Sequence, residues 1–360
     1  MTLETLGWND RLAGSYEALA APEREPARVL RADREQYHVQ GAGSPLVAQV
    51  SGRLRHEARN AAEFPAVGDW VVIEPRPAES AATIHALLPR ASAFSRKAAG
   101  LKTEEQIVAA NVDRVFVVTG LDGDFNPHRI ERYLTAVWES GATPVVILNK
   151  ADLCASVTRV EELIAEVETV SPGVPVLAVS ALAAQGLEAL EAHLDPGSTV
   201  ALVGSSGAGK STLLNALMGS VTQDTGEVRV HDSRGRHTTT HRELFVLPGG
   251  ALLLDTPGMR ELALWGGGEG LESSFPEVEE LARECRFSDC RHDGEPGCAV
   301  ARAIETGTLP EERFASYRKL EREALAFAAR HGDRRAQAKR RAMWRSITKA
   351  HRNRPPRGYR

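Results

Sequence analysis

Gly204-Ser205-Ser206-Gly207-Ala208-Gly209-Lys210-Ser211 is a full match to G-x-x-x-x-G-K-[ST]. Ahead of it lies Ser198-Thr199-Val200-Ala201-Leu202-Val203, a short β-like apolar run, and behind it Thr212-Leu213-Leu214-Asn215-Ala216-Leu217-Met218 reads as the first turns of a helix. Strand, glycine loop and helix is the context in which this pattern cradles phosphates. The glycines let successive backbone N–H groups point inward as a nest, and the helix N-terminus adds its partial positive charge. Lys210 is spaced to reach β- and γ-phosphates, and the Ser211 hydroxyl to sit on Mg²⁺. The chain is expected to bind a nucleoside triphosphate through residues 204–212, Thr212 included.

The chain around this loop has 360 residues, enough for two or three domains. Its 42% hydrophobic and 26% charged content are ordinary for a globular protein. No apolar run approaches the 18 or so residues needed to span a bilayer, and the N-terminus has no secretory pattern. Four clustered cysteines are too few for a disulfide framework, so a reducing, cytoplasmic setting without membrane contact is expected. The net charge of −4 hides an asymmetry. Residues 334–360 carry 11 Lys and Arg and no acid, which leaves 33 basic against 48 acidic residues in the rest. Such a tail is a candidate polyanion contact.

Residues 1–26 read as a mobile extension ending in Pro22-Glu23-Arg24-Glu25-Pro26. Residues 27–95 carry short strands between glycines, among them 37–40, 46–50 and 69–74, which predicts a small OB-like or SH3-like all-β barrel. Residues 96–270 alternate apolar strands (112–118, 144–148, 174–179, 199–203, 244–247, 251–254) with helical stretches at 129–139, 157–170 and 187–194. That texture predicts an α/β domain with a parallel sheet covered on both faces, its ligand site at the carboxyl ends of the strands. A small α-rich unit at 271–333 and the basic tail at 334–360 follow. Gly266-Gly267-Gly268 reads as a joint.

Two motifs close strands of the same sheet ahead of the glycine loop. Asn149-Lys150-Ala151-Asp152 follows the strand 144–148. An Asp there accepts hydrogen bonds from guanine N1–H and the 2-amino group; adenine offers neither, and the carboxylate is left desolvated and unpaired. Ser180-Ala181 ends the next strand, where a backbone N–H can meet guanine O6. Downstream, Asp255-Thr256-Pro257-Gly258 is a D-x-x-G: Asp255 is expected to hold a Mg²⁺-bound water and the Gly258 N–H to face the γ-phosphate. Between them Gly235-Arg236-His237-Thr238-Thr239-Thr240 offers a threonine for the Mg²⁺ shell, Thr240 first and Thr239 next. In the usual GTPase the guanine motifs come last; here they come first. The order is permuted but the strand ends can keep their places. Met259 stands where many GTPases have a Gln that orients the attacking water, so slow unaided turnover is expected. His237 and His241 are the candidates to assist.

Cys285, Cys290, His292 and Cys298 lie within 14 residues, a donor set suited to a closed tetrahedral Zn²⁺ site with a structural role. The tail interleaves its cations with Trp344, His351 and Tyr359, which fits RNA phosphates and unpaired bases, or else a solvated charged helix.

With residues 149–152, 204–211, 235–240, 255–258 and the Cys/His cluster together, the chain resembles the circularly permuted, ribosome-small-subunit-dependent GTPase family of bacteria. Phe94-Ser95-Arg96-Lys97-Ala98-Ala99-Gly100 also looks like that family's linker. The resemblance implies an OB-fold, a GTPase domain and a zinc domain. It also implies binding to the 30S subunit and its 16S rRNA, and GTP hydrolysis to GDP that the subunit stimulates, late in 30S maturation. A monomer that times its release by turnover is the leading expectation. The other is an RNA-binding module that holds GTP as a structural ligand.

Overall fold

Residues Glu25–Ala32 form strand β1, although Pro26 is its second residue and a buried arginine, Arg28, its fourth. The structure, a computed structural model, describes residues 1–19, 22–33, 35–97, 105–123, 125–219, 243–255 and 269–330. It divides into two compact units, Met1–Ala263 and Leu264–Arg360.

In the first unit β1 is joined by β2 (Tyr37–Gln40), β3 (Leu46–Val50), β4 (Trp70–Arg76) and β5 (Ala81–Leu87). The hydrogen-bonded order is β1-β2-β3-β5-β4, and β4 returns to pair with β1 from Glu25↔Ile73 to Arg28↔Trp70. The five strands therefore close into a barrel, in which β3 and β5 run parallel. Its interior is filled by small and branched side chains, including Ala27, Val29, Val39, Ala48, Val71, Ile73 and Ile84.

The expected mobile extension is a correction: most of it is built into the structure. A 3-10 turn at Glu4–Leu6 precedes helix α1 (Asp10–Glu17), whose cap Asn9 accepts a hydrogen bond from Leu12 N at 3.2 Å. Leu6 and Leu12 are buried, and the Trp8 ring meets Trp70 edge-on at 4.9 Å. Burying such side chains stabilises by about 1.5–3 kcal/mol each, enough to hold a segment whose sequence looks polar.

Arg28 is the knot of this region. Its guanidinium donates to Leu6 O, to Gly68 O at 3.3 Å, to Asn111 O at 3.1 Å and to Thr199 Oγ1 at 2.7 Å. One side chain thus ties the N-terminal turn, the barrel and the first residue of a strand far along the chain. Gly68 adopts φ 88°, and a Cβ there would lie 2.1 Å from Ala110 O, so only glycine fits the crossing.

Beyond the barrel, β6 (Ala93–Lys97) and β7 (Glu105–Ala110) form a two-stranded ribbon, so the first four residues of the expected linker are strand. Residues 98–100 of that linker lie outside the described residues. The α/β sheet follows with β8 (Arg114–Gly120), β9 (Thr143–Asn149), β10 (Val176–Ala178), β11 (Thr199–Val203), β12 (Glu243–Val246) and β13 (Leu252–Asp255). Its order is β10-β9-β8-β11-β13-β12, parallel throughout except for β12. The runs Val115–Val118, Val145–Leu148 and Leu252–Leu254 are buried, as a doubly covered sheet requires.

After the short helix α2 (Gly52–Glu57) that follows β3, helix α3 (Pro127–Ser140) starts on Asn126, which accepts from Arg129 N at 3.1 Å, and stops at Gly141 with φ 87°. Helix α4 (Val157–Val170) starts on Ser156 in the same way. The expected 187–194 helix is one turn, α5 (Glu188–Glu191). The barrel and this sheet share a ladder, since Arg31 of β1 pairs with Glu243 of β12.

The second unit has helices at Glu269–Ser274, Pro276–Arg283, Ala299–Glu305 and Glu311–Arg330. Arg313 lies 4.1 Å over the Phe275 ring and pairs with Glu277 at 2.6 Å, pinning the long helix to the start of Pro276–Arg283. The glycine run 266–268 and the basic tail 334–360 lie outside the described residues.

Candidate functional site

The glycine loop leaves β11 and enters helix α6 (Lys210–Met218), the strand–loop–helix geometry that the motif needs. Gly204 has φ 143°, and a Cβ there would stand 2.0 Å from Val118 O of the adjacent strand. Gly209 has φ 90°, and its Cβ would meet Asn149 Nδ2 at 2.2 Å. Gly207 also has a positive φ, 84°, but nothing lies within 4 Å of its missing side chain. The Lys210 ammonium donates to Gly204 O at 2.9 Å and Ser205 O at 2.5 Å, which keeps it in the mouth of the loop. Ser211 and Thr212 are exposed on the first turn of α6.

Asn149 joins three motifs. Its Nδ2 donates to Ala208 O at 3.0 Å, and its Oδ1 accepts from Ala181 N at 3.0 Å. The guanine-type loop after β9, the glycine loop and the Ser180-Ala181 loop after β10 are therefore held by one amide. Ser180 Oγ donates to Asp152 Oδ1 at 2.5 Å, which orients the exposed carboxylate from a fully buried hydroxyl. Lys150 takes a left-handed conformation, φ 65°, and its Nζ lies 2.5 Å from Asp122 Oδ2. Ala151 N donates to Val179 O at 3.0 Å. All these groups sit at the carboxyl ends of parallel strands, where open α/β sheets hold ligands.

Asp255 is the last residue of β13, beside β11 in parallel register through Ala201↔Leu254. Its backbone thus reaches the same edge as the glycine loop. Thr239, Thr240, His237, His241, Gly258 and Met259 lie outside the described residues. Asp122 escaped the sequence reading. Its signal was weak: a carboxylate just past a predicted strand, in no recognisable motif.

In the second unit the donor atoms of Cys285, Cys290, His292 and Cys298 all lie within 4.8 Å of one another. Cys285 Sγ is 3.6 Å from His292 Nδ1 and 3.9 Å from Cys298 Sγ, and His292 Nδ1 is 3.4 Å from Cys298 Sγ. Tetrahedral bonds of about 2.3 Å to sulfur set ligand atoms about 3.8 Å apart, so these residues fit a zinc-sized ion. Backbone N–H groups of Ala299 and Ala301 point at Cys285 and Cys298 Sγ, both at 3.3 Å, the kind of outer hydrogen bond that orients metal ligands. Burial lowers the His292 imidazole below its usual pKa and keeps it neutral, the ligating form. The loop needs glycine at 297, where φ is 80° and a Cβ would lie 2.9 Å from that of Arg286. His292 packs edge-on against Phe314 at 6.1 Å, so the cluster leans on the long helix.

The comparisons with known proteins agree with this geometry. The family model for the RsgA GTPase matches residues 87–265. A protein of Opitutus terrae named small ribosomal subunit biogenesis GTPase RsgA is 50% identical, covering 98% of both chains. One of the same name from Streptomyces coelicolor is 45% identical over 93% of this chain and 90% of its own. Among solved structures, YjeQ from Thermotoga maritima superposes with a TM-score of 0.63 at 26% identity, covering 84% of this chain and 99% of that one. YloQ, described as a circularly permuted GTPase, shares the fold with a TM-score of 0.63 at 22% identity, over 85% and 96% of the two chains. Near-complete coverage at half identity, with the motif order and the donor cluster in place, means that the chain belongs to the RsgA GTPase family and is a GTP hydrolase.

Proposed function

We propose that this GTPase acts in the late maturation of the 30S ribosomal subunit, binds its 16S rRNA, and couples subunit-stimulated hydrolysis to its own release. The observation that carries the reading is the 50% identity, over 98% of both chains, to a relative named as a small ribosomal subunit biogenesis GTPase. Asp152 and the Ser180-Ala181 loop read guanine, and the nest of residues 204–209 with Lys210 and Thr212 holds the phosphates. Ser211 and Thr240 hold Mg²⁺, with Asp255 on one of its waters and the Gly258 N–H at the γ-phosphate. Met259 cannot orient water, so the subunit, with His237 as the internal candidate, supplies the missing catalytic power.

The parallel pairing of β3 and β5 in a five-stranded closed barrel supports an OB-fold over an SH3-like one. In this reading residues 27–95 are the barrel, 96–270 the GTPase domain, 271–333 the module that Zn²⁺ holds through Cys285, Cys290, His292 and Cys298, and 334–360 a phosphate-binding tail. The protein works as a cytoplasmic monomer. No helix among the described residues is long and apolar enough to cross a membrane.

Turnover of GTP with and without purified 30S subunits tests the proposal. Acceleration by the subunit is expected. Equal rates refute it and favour an RNA-binding module with GTP as a structural ligand.

A further inference from the structure

We propose that Asp122 is a positioning residue for nucleotide binding: its carboxylate holds the Lys150 ammonium so that the lysine stem lies along the glycine loop as one wall of the base and ribose site. The proposal rests on the guanine reading of residues 149–152 and adds a residue outside the recognised motifs.

The geometry has four parts. The loop after β8 folds back on itself, bringing Asp122 Oδ1 to 3.0 Å from where a Gly120 Cβ would be. Leu121 N donates to Asn149 O at 2.8 Å, so that loop is fastened to the one carrying Lys150. Asp122 Oδ2 then lies 2.5 Å from Lys150 Nζ, each side chain about 30% exposed. Finally, Lys150 Cε is 4.0 Å from the position of a Cβ on Gly209, so the stem runs beside the glycine loop. Lys150 also holds φ 65°, a left-handed backbone conformation that the surrounding loop bonds fix and that sets the direction in which its stem leaves the loop. A four-carbon stem with a free ammonium samples many rotamers, and ordering them at each binding event weakens affinity. The carboxylate removes that disorder beforehand.

The test is titration calorimetry of GTP and GDP on the full chain with Asp122→Asn, Lys150→Met and the double variant. A partly exposed ion pair predicts about three- to five-fold weaker binding for Asp122→Asn, equal for GTP and GDP because the pair serves the base side. KM should rise by the same factor with kcat unchanged. In the Lys150→Met background, Asp122→Asn should change nothing further.

If Lys150→Met weakens binding while Asp122→Asn does not, the inference is overturned and the guanine reading stands. Equal weakening by Asp122→Asn in both backgrounds also overturns it, since the carboxylate then acts elsewhere. If Lys150→Met leaves affinity unchanged, the lysine is no wall of the site and the inference is overturned, whereas a chain that binds ATP as tightly as GTP refutes the guanine reading itself. The asparagine is isosteric, and an unchanged thermal unfolding midpoint separates lost positioning from lost folding.

Discussion

Arg28→Met removes the guanidinium that ties the N-terminal turn, the barrel and β11 together, and the structure permits its effect to be worked out. Three acceptors lose their donor: Leu6 O, Asn111 O and Thr199 Oγ1. Gly68 O keeps a second one, Asn111 Nδ2 at 3.1 Å. A buried acceptor without a partner costs about 2 kcal/mol, so the three together cost about 6 kcal/mol. Against this stands the relief of burying no charge. Burial lowers the pKa of the Arg28 guanidinium to about 10, well below its usual value, equivalent to about 3 kcal/mol against the charged form. The net expectation is a loss of about 3 kcal/mol, since methionine keeps an apolar stem beside the Trp70 ring. Urea unfolding followed by tryptophan fluorescence is the assay, because Trp8 and Trp70 touch at this junction. The midpoint should fall with the slope unchanged. A loss below about 1 kcal/mol, or a gain, would refute the reasoning and assign the junction to apolar packing alone.

Two further variants probe the sites themselves. Asn149→Ala cuts the bonds to Ala208 O and Ala181 N, and losing two neutral hydrogen bonds should weaken GTP and GDP binding about ten-fold; unchanged affinity in calorimetry would mean that the three loops hold together without the amide. Removing metal with a strong chelator should lower both the far-ultraviolet helical signal and the thermal midpoint of the zinc-loaded chain, and Cys298→Ser should mimic it. Helicity and midpoint indifferent to both treatments would exclude a metal role for the cluster.

The sequence exposed what depends on neighbours along the chain. The glycine loop, Asn149–Asp152 and Asp255 could be read because each motif sits where a short apolar strand ends. The Cys285, Cys290, His292 and Cys298 set was legible because its four donors fall within 14 residues. What escaped is built from distant pairs. Strand β1 is disguised by Pro26 and by Arg28, which lies on the face opposite Ala27 and Val29 yet is buried by partners up to 171 residues away. Helix α1 offers few apolar residues, and only Trp70 and its surroundings explain why Leu6 and Leu12 are buried and Trp8 half-buried. The Asp122–Lys150 pair joins residues 28 apart that share no motif. Local chemistry announces a site, while the packing that braces it is written in long-range contacts.

The three glycines of the nucleotide loop are not equivalent reporters. Gly204 is required by the neighbouring strand and Gly209 by the amide of Asn149, whereas Gly207 faces open space and is constrained by its φ alone. A genetic screen for lost nucleotide binding would score all three alike. Only at Gly207 does the defect speak about the loop's own shape; at Gly204 it reports a collision between strands. Tolerance maps of this motif therefore record sheet spacing as much as phosphate chemistry: the atom in the way at Gly204 is the backbone carbonyl oxygen of Val118, so no exchange of side chains on that strand relieves the rule.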